Sequence, residues 1–209
     1  MAQGTVELTT RAAADVADDP IIRSALRDHI GRQWPDAHII EELGLNGVRV
    51  DLVAVDDKLR GFEIKSDRDS LRRLPLQIEV YSEILEEVTI VTGQRHLAAV
   101  MAIVPAWWAV WHADTSGDGL VLTSLRDASP NPGVLARSAV QLLWRDEVAG
   151  LLEAIGMLDG VRTKPRSILW ERLAAAIDCA ELMNHVRTAL TSRTSWPARE
   201  RNSAHYFMV

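Results

Sequence analysis

The chain has one cysteine, Cys179, in 209 residues, so an internal disulfide is excluded. No other Cys or His stands at metal-ligand spacing from it, and Cys179 reads as a small helix residue. The six histidines, at 29, 38, 96, 112, 185 and 205, are scattered, which argues against a zinc site. For His96, which follows Gln94-Arg95, the readings are structural packing or a phosphate contact. No run of eighteen apolar residues occurs, and Glu7 and threonines interrupt the first ten positions. Neither a membrane helix nor a signal peptide is expected, which points to a cytoplasmic protein. Net positive charge is missing too. The formal charge of −6 argues against a protein that coats nucleic acid indiscriminately. The deficit is uneven: residues 1–136 hold 13 Lys/Arg against 21 Asp/Glu, a balance of −8, and residues 137–209 hold 10 against 8, a balance of +2.

What is present suits a globular protein: 47% hydrophobic and 25% charged residues, enough for one sizeable core or a domain with an appendage. Charge sits inside apolar strands in one place. Val48 to Val55 and Arg60 to Ser66 are rich in β-branched and aromatic residues, and Asp56-Asp57-Lys58 is a polar turn between them, so a β-hairpin is expected. Ionised groups in a buried sheet are costly unless they pair or hold a metal. Alternation puts Glu63 and Lys65 on one face and Phe62 and Ile64 on the other. Asp51 shares the face of Glu63 only if the connection has an odd residue count or a bulge. Two carboxylates one strand spacing apart, with an ammonium beside them, make a hard-oxygen site suited to Mg²⁺ or Mn²⁺.

Asp51, the eleven residues that separate it from Glu63, and Glu63-Ile64-Lys65 together resemble the PD-(D/E)XK nuclease superfamily, whose D…(D/E)-x-K motif binds the catalytic metal. Gln77-Ile78-Glu79-Val80-Tyr81 resembles the Q-x-x-x-Y element of its RecB-like branch. The longer run Glu63 to Asp67, Asp69-Ser70-Leu71, Arg73-Leu74, Gln77 and Tyr81 is similar to a bacterial and phage family within that superfamily, most strongly over residues 39–111. An E-x-K triplet alone is weak, because on an exposed strand it is a solvated pair; the conjunction is what carries weight. The resemblance implies that Asp51, Glu63 and the Ile64 carbonyl hold one or two Mg²⁺ or Mn²⁺ ions. It implies that Lys65 positions water, that Gln77 holds this water or the DNA backbone, and that Tyr81 donates to Glu63 or a phosphate. Many members use an acidic residue before the motif Asp as a third ligand; here that implies Glu42, with Glu41 as the alternate. Alternation places these two neighbours on opposite sides.

The rest of the chain is read around this stretch. Thr9 or Thr10 caps a first helix carrying Ile21, Ile22, Ala25, Leu26, His29 and Ile30 and ending near Gly31 to Pro35. His38 to Leu43 is a short strand and Gly44 to Gly47 a turn. Ser66-Asp67 caps the next helix, where Arg68, Arg72 and Arg73 grip phosphate or pair with Asp67 and Asp69. Pro75 kinks or restarts that helix, and Leu76, Val80 and Ile84 face the sheet. Val88 to Thr92 and Val100 to Val104 read as strands. Trp107-Trp108-Ala109-Val110-Trp111 reads as a sheet-packing strand, with base stacking or an interface as the other readings. Asp114 to Gly119 resembles the opening of a calcium loop, but Leu125 stands where the bidentate Glu is required, so a hairpin turn is expected. Ser129 to Gly133 marks a linker. Beyond it, one helix over Leu142 to Ile155 and a second containing Ile168, Leu169, Leu173 and Ala176 resemble a SAP-type helix-extension-helix module. Arg162, Lys164 and Arg166 would meet phosphates there, the alternative being a helical cap on the first domain.

The expected architecture is α/β: a restriction-endonuclease-like mixed sheet flanked by helices over residues 1–133, with a small helical module over 134–209. The expected activity is metal-dependent hydrolysis of DNA phosphodiester bonds, with 5′-phosphate and 3′-hydroxyl products. Its rival is a nuclease-fold protein of a phage or defence system that binds nucleic acid or a partner without cutting. A symmetric homodimer through the tryptophan strand is compatible with either.

Overall fold

The computed structural model describes residues 5–7, 19–115 and 119–194. Its strands are Thr5–Glu7 (β1), His38–Leu45 (β2), Val48–Val55 (β3), Leu59–Lys65 (β4), Glu87–Thr92 (β5), Ala109–Asp114 (β6) and Val121–Arg126 (β7). They form one mixed sheet in the order β1-β7-β6-β5-β4-β3-β2, with β4-β5 and β5-β6 parallel and the other pairs antiparallel. The helices are Asp19–Gln33 (α1), Leu74–Ile84 (α2), Gln94–Ile103 (α3), Ala136–Ala139 (α4), Arg145–Ala154 (α5), Arg166–Ala176 (α6) and Cys179–Ser192 (α7). The mixed sheet flanked by helices, followed by C-terminal helices, is the expected class.

Alternation along the central hairpin sorts the two layers. Leu52, Ala54, Phe62 and Ile64 pack beneath α1 against Ile22, Ala25, Leu26 and Ile30. Val53, Val55 and Leu59, on the opposite face, join Leu74, Tyr81 and Ile84 of α2 and the apolar residues of α5, α6 and α7 in a single cluster. The segments either side of Ser129 to Gly133 therefore share a core. Asn131 ties them further, donating to the carbonyls of Ser82 and Leu85 at 2.8 and 2.7 Å. At the hairpin turn, buried Arg60 pairs with Asp56, Asp57 and Glu87 and lies 5.2 Å from the Trp34 ring centroid. Three charge partners and an aromatic face compensate for burying the guanidinium.

Several local expectations are corrected. Val100–Val104 is not a strand: α3 runs from Gln94 to Ile103, because consecutive parallel strands need a crossover and these residues supply it with Leu, Ala and Met. The strand from His38 continues to Leu45, and the turn is confined to Asn46 and Gly47, both with positive φ (42° and 91°). Asp67 does not cap the helix after Lys65. Its carboxylate accepts from Arg95 N at 2.9 Å, at the start of α3, and Ser70 instead accepts from Arg72 N in the short 3₁₀ turn Leu71–Arg73. The Leu142–Ile155 helix is shorter than expected: Val140–Leu142 is 3₁₀ and α5 begins at Arg145. The Thr9/Thr10 cap and positions 116–118 lie outside the described residues.

The tryptophan segment packs as core. Trp108 is fully buried and stacked on Tyr81, and β6 runs inside the sheet between β5 and β7, so it offers no free edge. β6 and β7 pair as the hairpin expected around Asp114 to Gly119. Among the described residues no helix is long and apolar enough to cross a membrane.

Candidate functional site

The connection between β3 and β4 has an odd count. Val55 pairs with Leu59 and Leu52 with Phe62, so the register carries Asp51 opposite Glu63. The ladder stops at Leu52↔Phe62, and beyond it the Asp51 carboxylate takes over, Oδ2 accepting from Ile64 N at 2.7 Å. N–H and C=O of one residue in a strand point to the same edge, so the Ile64 carbonyl also faces β3.

Glu63 and Lys65 are 2% and 3% exposed, and the Lys65 ammonium donates to Glu63 Oε1. The face of α2 that covers them includes Ile84, as expected, but not Leu76. Leu76 is 53% exposed, whereas Leu74, Gln77, Tyr81 and Ile84 are buried. The helix turns its polar pair inward because a buried carboxylate requires donors. Gln77 Nε2 donates to Glu63 Oε1 at 2.6 Å and to the Tyr81 hydroxyl at 3.2 Å. The single proton of the Tyr81 hydroxyl is within reach of Glu63 Oε2 at 2.6 Å and of the Arg49 carbonyl at 2.8 Å. Burial, and then the charge of Asp51, raise the Glu63 pKa against the opposing pull of Lys65. Burial and the Glu63 charge push the Tyr81 phenol far up, so it stays a donor.

Sequence reasoning missed Arg23. Its guanidinium donates to Asp51 Oδ1 at 2.9 Å and to the Asp51 carbonyl at 3.1 Å, and it pairs with Glu42 Oε1 at 3.0 Å and Asp19 Oδ1 at 3.1 Å. The cause lies in β2. Glu41 pairs with Leu52 and Leu43 with Val50, so Glu42 stands opposite Asp51, but Glu42 has φ 58° and drops out of the ladder. Left-handed backbone in a non-glycine residue is uncommon within a strand. It leaves the Asp51 carbonyl to Arg23, and it breaks the alternation expected of Glu41 and Glu42. Both reach arginines of α1, Glu41 pairing with Arg27 and Glu42 with Arg23, while Glu42 also pairs with Arg49. The i,i+4 pair Asp19/Arg23 was the one sequence signal, and it reads as ordinary helix surface.

Among the described residues no three His, Cys, Asp or Glu side chains gather closely enough to hold a metal. The oxygens of Glu42 are paired to Arg23 and Arg49. The remaining donors, two carboxylates and the Ile64 carbonyl, fit a hard cation in chemistry. On the covering helix, buried Gln77 Oε1 has no hydrogen-bond partner. The carboxylate oxygens accept from Arg23, Ile64 N–H, Lys65, Gln77 and Tyr81, so a cation would share them with these donors.

The basic residues fall in two places. Arg72 and Arg73 are exposed on the 3₁₀ turn that leads into α2, and Arg68 is exposed in the loop before it. Asp69 accepts from Ser66 N and Oγ, both at 2.7 Å, and its carbonyl lies 3.0 Å from His96 Nε2. His96 thereby ties α3 to the loop after β4. Arg162, Lys164 and Arg166 lie on and just after the α5–α6 connection, where Arg162 pairs with Glu153 at 2.9 Å and Arg166 stacks on Trp170 at 4.2 Å.

A family model described as bacteriophage P4 protein cII matches residues 12–202. The chain belongs to the bacteriophage P4 protein cII family. Protein cII of enterobacteria phage P4 is 40% identical over 67 residues, which is 31% of this chain and 25% of the phage protein's length. The match thus spans a quarter of that curated relative. The SPO1766 protein of unknown function from Silicibacter pomeroyi covers 73% of the chain and is itself covered completely, with 19% identity and a TM-score of 0.39. In this cII-family chain the charged group that joins β3, β4 and α2 is the candidate site, and Arg23 of α1 belongs to it.

Proposed function

We propose that the chain is a PD-(D/E)XK-type, metal-dependent deoxyribonuclease acting in the cytoplasm. Asp51, Glu63 and the Ile64 carbonyl hold Mg²⁺ or Mn²⁺, which supplies Lewis acidity toward the phosphate and its attacking water. Lys65 orients that water and meets developing negative charge. Gln77 and Tyr81 fix the Glu63 carboxylate, and Arg68, Arg72 and Arg73 take the flanking phosphates. Arg162, Lys164 and Arg166 form a second, more distant phosphate contact.

One observation carries this reading: Glu63 and Lys65 are buried in the sheet beside Asp51, and α2 spends two of its inward positions on them. Apolar residues fill such a volume at lower cost, and buried charge with dedicated positioning partners is how reactive groups are prepared. The test is incubation of circular and linear, single- and double-stranded DNA with Mg²⁺ or Mn²⁺, beside Asp51→Asn. Metal-dependent cutting by the parent chain, reduced at least a hundredfold in the variant, is the expected result. Undiminished cutting by Asp51→Asn overturns the assignment.

A second reading is favoured by the protein donors already on the site. Every carboxylate oxygen of Asp51 and Glu63 already accepts from a protein donor. On that reading the fold binds nucleic acid or a protein partner without cutting. Retention of DNA with no cleavage under any metal selects it.

A further inference from the structure

We propose that Arg23 is the resident counter-ion of Asp51, a positioning residue whose guanidinium competes with a divalent cation for the Asp51 carboxylate, so that Arg23 lowers the site's affinity for metal. The inference rests on the metal reading above. The guanidinium makes two contacts with a single residue, Asp51 Oδ1 at 2.9 Å and the Asp51 carbonyl at 3.1 Å. With Ile64 N–H on Oδ2, these contacts fix the carboxylate in the plane that meets β4. The other side of the guanidinium is held by Glu42 and Asp19. The arginine thus occupies the charge position beside Asp51 that a bound cation would claim, and it has carboxylates to move toward when Oδ1 is taken.

Left-handed Glu42 gives the arrangement its physical origin. A regular β2 would satisfy the Asp51 carbonyl through the ladder; the break at Glu42 opens that carbonyl to the guanidinium. A divalent ion within a few ångströms of a retained guanidinium meets like-charge repulsion in a partly buried setting, where screening is weak. Binding therefore requires either displacement of Arg23 or acceptance of that repulsion. Both lower affinity below what the carboxylates alone would give.

The experiment is Mn²⁺ titration by calorimetry on the full chain, comparing the parent with Arg23→Gln, Arg23→Lys and Glu63→Gln, each first checked for a cooperative thermal transition. Arg23→Gln keeps donors and removes charge, so it binds Mn²⁺ roughly tenfold more tightly. Arg23→Lys keeps the charge beside Asp51 and so binds Mn²⁺ more weakly than Arg23→Gln. Binding by Arg23→Gln no tighter than the parent, while Glu63→Gln binds less, overturns the role of Arg23 and leaves the metal reading standing. Equal binding by the parent and Glu63→Gln, or binding by neither, defeats the metal reading itself. A measurement on the unaltered chain covers the case where Arg23→Gln does not fold: the Arg23 Nε–H resonance, assigned with Arg23→Lys, shifts on Mg²⁺ addition. A resonance unchanged at saturating Mg²⁺ contradicts that competition.

Discussion

The Tyr81 hydroxyl connects the covering helix to both strands of the hairpin, through Glu63 Oε2 on β4 and the Arg49 carbonyl on β3. Tyr81→Phe keeps the ring on Trp108 and leaves one Glu63 oxygen short of a donor. It should destabilise the chain by about 1–3 kcal/mol, measured as a lower denaturant midpoint at unchanged slope. His29 gives a pH effect far from the candidate site. Burial, and then the charge of Arg32, lower its pKa below the ordinary 6.5, and its ring packs edge-on to Trp111 at 4.9 Å. The unfolded chain binds the proton more readily, so stability is lost as pH falls from about 6.5 toward the folded pKa. Melting temperatures at neutral and mildly acidic pH should show this loss, and it should be smaller in His29→Gln. At this scale Glu63, Lys65, Gln77 and Tyr81 were legible, because charge within an apolar strand and two polar residues four apart on a helix have few structural explanations. Arg23 and the left-handed Glu42 were not. Their roles depend on which strand and helix lie beside Asp51, and helix periodicity alone gives Arg23 a surface position.

Strand β4 passes under the end of α2 at Gly61. A Cβ built there would lie 2.4 Å from Leu85 Cδ1, in a position where Leu85 is fully buried. Gly61→Ala should therefore cost about 1–3 kcal/mol by overpacking, read from thermal unfolding. Leu85→Ala in the same chain should recover part of that cost, a non-additivity that independent sites would not show. The hairpin β3-β4 was legible as an element because its period-2 pattern and polar turn agree. The second half of helix α3 was not, since Val100 to Val104 is as apolar as a strand; the parallel pairing of β5 and β6 decides it. The inward face of α2 was also misread, with Leu76 placed inside, because apolar periodicity carries no knowledge of a buried carboxylate above it.

For the whole molecule, α2 and the helices after Gly133 cover one face of the sheet and share its apolar cluster. Arg187 of α7 pairs with Glu86 at 2.6 Å, and Ser138 donates to Glu83 at 2.6 Å. A chain ending at Gly133 takes the apolar residues of α5, α6 and α7 out of that cluster. It should lose cooperative unfolding and bind hydrophobic dyes; a cooperative transition in that fragment would show that the C-terminal helices pack as a separate body. Sequence composition separated the two segments by charge but could not show that they share a core.

The central claim is that the buried Glu63-Lys65 pair exists for chemistry and not for stability, and Lys65→Met tests it most directly. Methionine keeps most of the volume and removes the ammonium, and Glu63, whose pKa burial already raises, can take up a proton in its place. The melting temperature should stay within a few degrees of the parent while Mg²⁺-dependent DNA cleavage falls by a factor on the order of a hundred or more. A chain destabilised by about 3–5 kcal/mol, as when a structural buried pair is broken, or one that cleaves as well as the parent, would contradict that claim.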